Sequence, residues 1–489
     1  MKGPLKKAAA RGYVRNTACF VSFITPFLMC TISSAAPKPM ITYFQPIPIV
    51  GHLQDTGWAA AVGAWDPSNG IESPGNWYFW DGKIIKGSDS TYHLFCSRWA
   101  ASNGFGGWGN SNPMHATSSN LIGPYTFQNE VYPNYQSDKG HNTSAVAMPN
   151  GAYAVVASEI VPGWIFTSSS LNGPWTFKNA ISYNDPNGFC TIDNSNFECS
   201  ETSNLTINVG SDNRFWATSR HGQIMDADSI TGPYKIETSS IYPTTENNLA
   251  SPSEALPNMP GMTWEDAEDP VIWYSGGYYH VVADFWNAPN VASTDSAPSQ
   301  FPTNCTSSGD NTCAAPRGFH LMSRDGIHDW INTGVAYDPS TNFIRYTNGT
   351  VNHWHNLERT GVYMENGHPA AFTFAVTASN KNTTNPVASK IIVIPFDGVS
   401  FDADNGGESS VIDIPPVNQG RFFPDMSIRT AISRVMFNSA FAGKMKSVAV
   451  YDLAGKIVSM KTMAKNSIDL EKECGLSDGV YIVKVKVVL

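Results

Sequence analysis

The stretch SSSLNGPWTF, residues 168–177, puts a Gly-Pro-aromatic turn after a short polar run, and nearly the same phrase occurs elsewhere in the chain. TSSNLIGPYTF ends at Phe127, MDADSITGPYKI ends at Ile236, and a looser copy, HLMSRDGIHDWI, ends at Ile331. Such repetition marks units that stack or fan around an axis, because one unit alone cannot bury its apolar face. A second element recurs with it, an apolar strand with a polar start that turns into an aromatic-rich strand. Its copies are WDGKIIKGSDSTYHLFCSRW (80–99), HNTSAVAMPNGAYAVVAS (141–158), SNLTINVGSDNRFWATSR (203–220), EDPVIWYSGGYYHVVADF (268–285) and LERTGVYMENGHPAAFTFAV (357–376). Their turns, SDS, NG, SDN, SGG and NG, hold residues that tolerate positive φ, as hairpins require. Five units of about four antiparallel strands predict an all-β chain folded as a five-bladed β-propeller. The Gly-Pro-aromatic phrase then marks the turn between the outer strands of a blade, with its aromatic packed between blades.

Composition agrees. Only 15% of residues are charged while 12% are aromatic, and 40 glycines and 32 prolines supply turns rather than long helices. The net charge of -10 has no basic concentration, which argues against nucleic acid as a partner. At 489 residues the chain has room for a large core and a second domain.

In a propeller the innermost strands begin at one end of a central channel, so the residues that open the five hairpins converge there. These are Asp81, His141 with Asn142, Ser203 with Asn204, Glu268 with Asp269, and Glu358 with Arg359. So polar a set at one register of apolar strands points to a site, since buried polar groups cost free energy unless paired. Hydrolysis of a glycosidic bond needs one carboxyl to protonate the leaving oxygen and another to activate water or attack the sugar. Asp81 and Glu268 open different blades and can face each other across the channel. In WEDAEDPVIW, Glu265, Asp266, Glu268 and Asp269 crowd together, and repulsion with partial burial raises a carboxyl pKa. Glu268 is the preferred acid and Asp269 its rival. Asp66, in WDPS, reads as a turn residue. Arg98, His93, Arg220, His221 and Arg359 are candidate donors to hydroxyls or carboxylates, as are His141, Asn142, Asn204 and Glu358 for the substrate. Trp77, Trp80, Trp99, Trp164, Trp216, Trp286 and Trp354 suggest an aromatic-lined cleft shared with the core. No zinc-type cysteine and histidine spacing occurs, so no metal site is assigned and no cofactor is required. The channel leaves room for a structural Ca2+, with His141 near it.

The N-terminus reads as an export signal, with Lys2, Lys6, Lys7, Arg11 and Arg15 ahead of the apolar run ACFVSFITPFLMCTI and small residues near Ala36. That run is short and broken by Pro26, so stable membrane insertion is not expected. Export makes local disulfides Cys190–Cys199 and Cys305–Cys313 reasonable, with Cys96 a buried thiol and Cys474 far from the rest. The expected organisation is a signal segment 1–36, a propeller 37–405, a linker 406–430 and a small β-sandwich 431–489.

The hairpins starting WDGKIIKG, GHNTSAV, AEDPVIWYSGGYYHVVADF and LERTGVYMENGHP resemble the five-bladed propeller glycoside hydrolases, particularly family 43-like proteins and relatives in families 32, 62 and 117. The resemblance spans roughly residues 76–400. It implies an inverting hydrolase with a first-blade Asp as base, a third-blade Asp tuning the acid, and a fourth-blade Glu before a Pro as acid. By motif the base falls on Asp81 and the acid on Glu268. The third position departs, with Asn204 where that family has Asp, and Gly82 follows Asp81 in place of Pro. The tail SVAVYDLAGKIV with LSDGVYIVKVKVV resembles C-terminal sorting domains of type IX secretion, implying export-machinery contact and a place outside a Gram-negative cell or on its outer-membrane surface. The expectation is a secreted hydrolase of plant or algal oligo- or polysaccharides; the alternatives are a non-catalytic carbohydrate-binding propeller and a glycoside phosphorylase.

Overall fold

The computed structural model describes residues 38–54, residues 65–189 apart from 134, 136 and 137, and residues 203–242 and 267–285. It also describes 317–378 apart from 340, 353 and 355, then 389–405, and strand segments between 434 and 487. The signal segment, the linker, Glu265, Asp266, Trp286 and the proposed disulfides all lie outside the described residues. Cys96 is buried.

The fold is a five-bladed β-propeller. Blade 1 comprises β1 (Trp77–Lys86), β2 (Tyr92–Ala100), β3 (Asn112–Ser118) and β4 (Thr126–Glu130). Blade 2 comprises β5 (His141–Ala147), β6 (Tyr153–Ser158), β7 (Trp164–Ser168) and β8 (Thr176–Ala180). Blade 3 holds β9 (Tyr183–Asn184), β10 (Thr206–Val209), β11 (Phe215–Thr218), β12 (Ile224–Ala227) and β13 (Tyr234–Ile236), with the short β9 parallel on its outer edge. Blade 4 comprises β14 (Ala267–Ser275), β15 (Tyr278–Phe285), β16 (Arg317–Ser323) and β17 (Ile331–Tyr337). Blade 5 has three strands, β18 (Asn356–Glu365), β19 (His368–Thr377) and β20 (Ser389–Pro395), followed by the helix α1 (Gly398–Asn405). Inside each blade neighbours pair in sequence order. The innermost strands β1, β5, β10, β14 and β18 neighbour one another in turn, and β18 returns to β1.

Apolar seams between blades hold the ring. Phe95 of blade 1 meets Val155 and Phe166 of blade 2, and Val146 and Ile165 meet Ile207 and Phe215 of blade 3. Trp216 meets Ile272, Val281 and Phe319 of blade 4, and Trp273 and Tyr337 join Phe372 and Phe374 of blade 5. Fully burying one such Phe contributes about 2 kcal/mol. The recurring turn aromatic serves these seams: Trp175 sets its edge on Phe95 at 5.5 Å, and Tyr234 is fully buried. The turns fall between β3 and β4, β7 and β8, and β12 and β13 as expected, each with a cis Gly-Pro bond.

Ring closure differs from the sequence reading, in which the residues ahead of β1 form a loop. Ile71 exchanges two backbone hydrogen bonds with Ile391 on β20, at 3.0 and 3.1 Å. Gln45 N–H donates to Pro395 O at 2.8 Å and Asp397 N–H donates to Tyr43 O at 3.0 Å. Between them the Asn69 amide stands in for a strand, donating to Val393 O at 2.9 Å and accepting from Val393 N–H at 2.8 Å. An early segment thus completes the last blade and covers an edge that would otherwise be exposed. Where the first and last blades meet, a Cβ at Gly361 would lie 1.8 Å from Gly82 O, so only glycine fits. Asp66 is a turn residue, accepting from Ser68 N–H at 3.0 Å.

C-terminal strands β21 (Arg434–Met436) and β24 (Ser467–Asp469) pair, and β22 (Lys446–Tyr451) lies between β23 (Ile457–Met463) and β25 (Ile482–Val487), all antiparallel.

Two blades share an unusual buried pair. His93 on β2 lies parallel to His115 on β3 with their ring nitrogens 2.8 Å apart, and His280 on β15 matches His320 on β16 at 2.9 Å. A hydrogen bond between imidazoles requires a lone pair on one, so double protonation breaks it. Burial lowers all four pKa values, to about 4 for His115 and His280. Because the folded values lie below the unfolded one near 6.5, these groups leave stability unchanged above about pH 7. They cost stability as pH falls from there toward 4, by about 2 kcal/mol each for His115 and His280 at pH 5. Guanidinium unfolding midpoints should accordingly be level from pH 8 to 7 and drop steadily below about 6.5; a midpoint unchanged at pH 5 would contradict neutral pairs.

Candidate active site

Each inner strand opens the same way. Asp81, Asn142, Asn204, Asp269 and Arg359 have positive φ, between 51° and 67°. In blades 1, 2, 4 and 5 the ladder register shifts at this residue, a β-bulge that re-aims the strand start. Asp and Asn tolerate this left-handed backbone, which is why the sequence supplies them at four of the five positions. Arg359 does not share that tolerance, and its conformation costs of order 1 kcal/mol that its contacts must offset.

Those contacts form the floor of the site. The Arg359 guanidinium donates from Nε to Asp81 Oδ1 at 2.6 Å and from Nη1 to Asp269 Oδ1 at 3.1 Å. Its backbone N–H donates to Asp269 Oδ2 at 3.2 Å. All three side chains are at least 95% buried. Burial opposes the Arg359 charge, but the two carboxylates outweigh it and raise the pKa above its ordinary value. Asp81 also accepts from Thr143 N–H at 2.9 Å and from the Ser97 hydroxyl. Asn204 donates its amide to Asp269. Below this layer the channel is filled by Lys83, whose ammonium donates to Asn208 Oδ1 at 3.0 Å and whose pKa is lowered by burial to about 7.

Above the floor lies a cavity of about 340 Å³. His141, Asn142, Asn204, Arg220, Glu268, Asp269, Glu358 and Arg359 line it, as do Trp80, Trp99, Phe105, Trp108 and Glu159. The Glu268 carboxylate is paired with the Arg220 guanidinium, and both are partly exposed. His141 Nδ1 is 2.8 Å from Ser111 Oγ, and its ring lies against Trp99 and Trp108. Glu358 accepts from Asn356 at 3.0 Å. Carboxylate oxygens of Asp269, Asp284 and Glu358 lie within 4.8 Å of one another, the one such group among the described residues with the spacing to hold a cation. The Arg359 guanidinium already brings positive charge to Asp269 there.

Several expected residues sit elsewhere. Asp81 is part of the floor and does not line the cavity. Arg98 does not reach it either, because its guanidinium is held between the Trp77 and Phe127 rings, 4.0 and 3.7 Å from their centroids, and pairs with Glu130 at 3.1 Å. His221 is buried behind Arg220 in sequence and does not line the cavity. His93 is engaged with His115. Of the tryptophans noted in the sequence, Trp80 and Trp99 line the cavity; Trp216 and Trp354 are core.

Three lining side chains escaped the sequence reading: Phe105, Trp108 and Glu159. Trp108 sits in the glycine-rich turns between β2 and β3, 38% exposed at the cavity rim. Glu159 follows β6, and its exposed surface faces the cavity. Its carboxyl accepts from the Asn142 amide at 2.5 Å. Desolvation raises its pKa to about 7 against the pull of Arg359, and the negative charges of Asp269 and Asp81 push the same way as burial.

No family model and no curated protein matches the sequence. Among solved structures the chain is similar to a thermostable family-43 glycoside hydrolase, at 10% identity over 66% of this chain and 92% of that one with a TM-score of 0.37. A family 117 glycoside hydrolase of the marine bacterium Zobellia galactanivorans aligns at 12% identity over 68% and 88%, TM-score 0.40. An endo-arabinase of Bacteroides thetaiotaomicron aligns at 13% over 67% and 97%, TM-score 0.39.

The floor makes a stability prediction. Replacing Asp81 with Asn leaves the buried guanidinium with one carboxylate in place of two, and breaking such a pair costs about 3 kcal/mol. Asp81→Asn should lower the unfolding free energy by that amount in guanidinium titrations, and a loss under about 1 kcal/mol would show that the pair is not what holds the floor.

Proposed function

We propose that this protein hydrolyses glycosidic bonds in plant or algal polysaccharides or their oligosaccharides. One observation carries the reading: carboxyls and guanidinium groups from four blades meet in one aromatic-walled cavity at the open end of the channel. Trp80, Trp99 and Trp108 offer flat apolar faces for the C–H surface of a sugar ring, and Arg220, Asn142 and His141 offer hydrogen-bonding partners for its hydroxyls. Glu268, on the wall, is a reacting carboxyl in this proposal, and the Asp81–Arg359–Asp269 unit fixes the floor against which the reacting sugar rests. The remote likeness to glycoside hydrolase structures points the same way without adding to the argument. The basic and apolar N-terminal run and the strand-rich tail support export to the cell exterior or the outer-membrane surface, with the tail as the part that meets export machinery. Inversion of configuration is part of the proposal through the family resemblance alone.

Reducing-sugar release from arabinan, arabinoxylan, fructan and agar fragments tests it. Wild type should release product from at least one without added phosphate, and Glu268→Gln should slow it by 100-fold or more. Tight binding with no product would instead make this a carbohydrate-binding propeller, and turnover only with phosphate would make it a phosphorylase. On the cleaved substrate, Trp108→Ala should raise KM several-fold while leaving kcat within about twofold, as expected for a rim residue that binds ground and transition states alike.

A further inference from the structure

A hydrolase of this kind needs one carboxyl that arrives with a proton and one that arrives without. The acids at the cavity differ in their partners. Glu268 is ion-paired with Arg220, and Asp81 and Asp269 share Arg359. Each of these three carboxylates is already engaged by a guanidinium. Glu358 is 1% exposed and accepts from Asn356. Glu159 differs from all of these: it lines the cavity and, among the described residues, accepts its hydrogen bond from the neutral Asn142 amide.

Its backbone supports the same reading. Glu159 has φ 72°, a left-handed conformation that Glu adopts at a cost. It comes directly after Ser158, the register partner of His141, so it lies where β6 returns to the mouth from which β5 departs. The fold accepts that strain and sets this side chain toward the cavity.

We infer that Glu159 is the proton donor of the reaction, a role the family resemblance gives to Glu268; the inference rests on the hydrolase reading above. The Glu159 carboxyl gives its proton to the glycosidic oxygen as the bond from that oxygen to the anomeric carbon breaks, and the leaving sugar departs as an alcohol. A water forms the new bond to the anomeric carbon and yields its proton to the Glu268 carboxylate. After product release that proton passes through solvent back to Glu159, which restores both groups. The charged and titratable groups around Glu159 are Asp81 on β1, Asp269 on β14 and Arg359 on β18, with His141, Glu268, Glu358 and Arg220 across the cavity. Desolvation favours the protonated carboxyl of Glu159, opposed first by Arg359 and also by the Asn142 amide, with Asp269 and Asp81 pushing the same way as desolvation.

The test compares leaving groups. The oligosaccharide that wild type cleaves is paired with the 2,4-dinitrophenyl glycoside of the same sugar, whose leaving group needs no proton. Glu159→Gln should lose 100-fold or more on the oligosaccharide yet stay within about tenfold of wild type on the aryl glycoside. Wild-type kcat/KM should fall above about pH 7 and Glu159→Gln should abolish that fall, while Glu159→Asp retains part of the oligosaccharide activity. Thermal melts of both variants confirm folding before rates are compared, and carbon-13 NMR titration of Glu159 reports its protonation without any substrate. Equal losses on both substrates, no loss on either, or a carboxyl already ionised at pH 5 would overturn the assignment while leaving the hydrolase reading intact. A wild type that cleaves no substrate overturns the hydrolase reading itself.

Discussion

The guanidinium of Arg359 between the carboxylates of Asp81 and Asp269 is the interaction on which the rest depends. It joins the start of the fifth blade to the starts of the first and fourth, with all three side chains buried. Buried charges persist only when paired and hydrogen-bonded, and each member here has further partners: Thr143, Ser97 and Asn204 serve the carboxylates. Two negative charges against one positive leave the floor acidic. At Glu159 in the cavity above, the pull of Arg359 exceeds the push of either floor acid, and desolvation is the largest influence.

The repeated bulge explains why these groups are together. A regular strand alternates its side chains between the two faces of a blade. A positive-φ residue at the strand start breaks the alternation, so in blades 2, 4 and 5 that residue and its predecessor both line the cavity, while blade 1 contributes Trp80 and blade 3 Asn204. Four blades use Asp or Asn, for which this backbone is inexpensive. The fifth uses Arg, because the acids that the other blades supply need a counter-charge, and its two ion pairs offset the local strain.

Much of this was legible in the sequence, for a physical reason. A blade is a local unit, so its hairpin turns and its Gly-Pro-aromatic phrase recur at readable intervals, and the strand starts name Asp81, Asn142, Asn204, Asp269 and Arg359 directly. What failed to show was whatever depends on return geometry. Glu159 stands just past a second strand, as does Arg220, which the sequence did name, and an antiparallel partner ends where the first strand begins, so both reach the same mouth. No motif marks Glu159 within YAVVASEIVPG; counting one residue past each second strand would have found it. Trp108 was hidden in a glycine-rich turn without periodicity. The closure of blade 5 was hidden because Asn69 replaces a backbone strand with a side chain. Arg98 was over-read, since a cation next to two aromatic faces satisfies itself locally.

Asn204 also changes meaning once its partner is known. Compared with the family pattern it is a missing carboxylate, the feature that best favours a propeller that binds without reacting. In this chain its amide donates to Asp269, the acid that shares Arg359 with Asp81. An Asp at 204 would set a third carboxylate against Asp269 with one guanidinium to serve all three, and like charges in so dry a place cannot all remain ionised. The neutral amide is therefore what the arginine-centred floor requires. The departure at 204 thus spares the floor a third carboxylate competing for the one guanidinium that Asp81 and Asp269 already share.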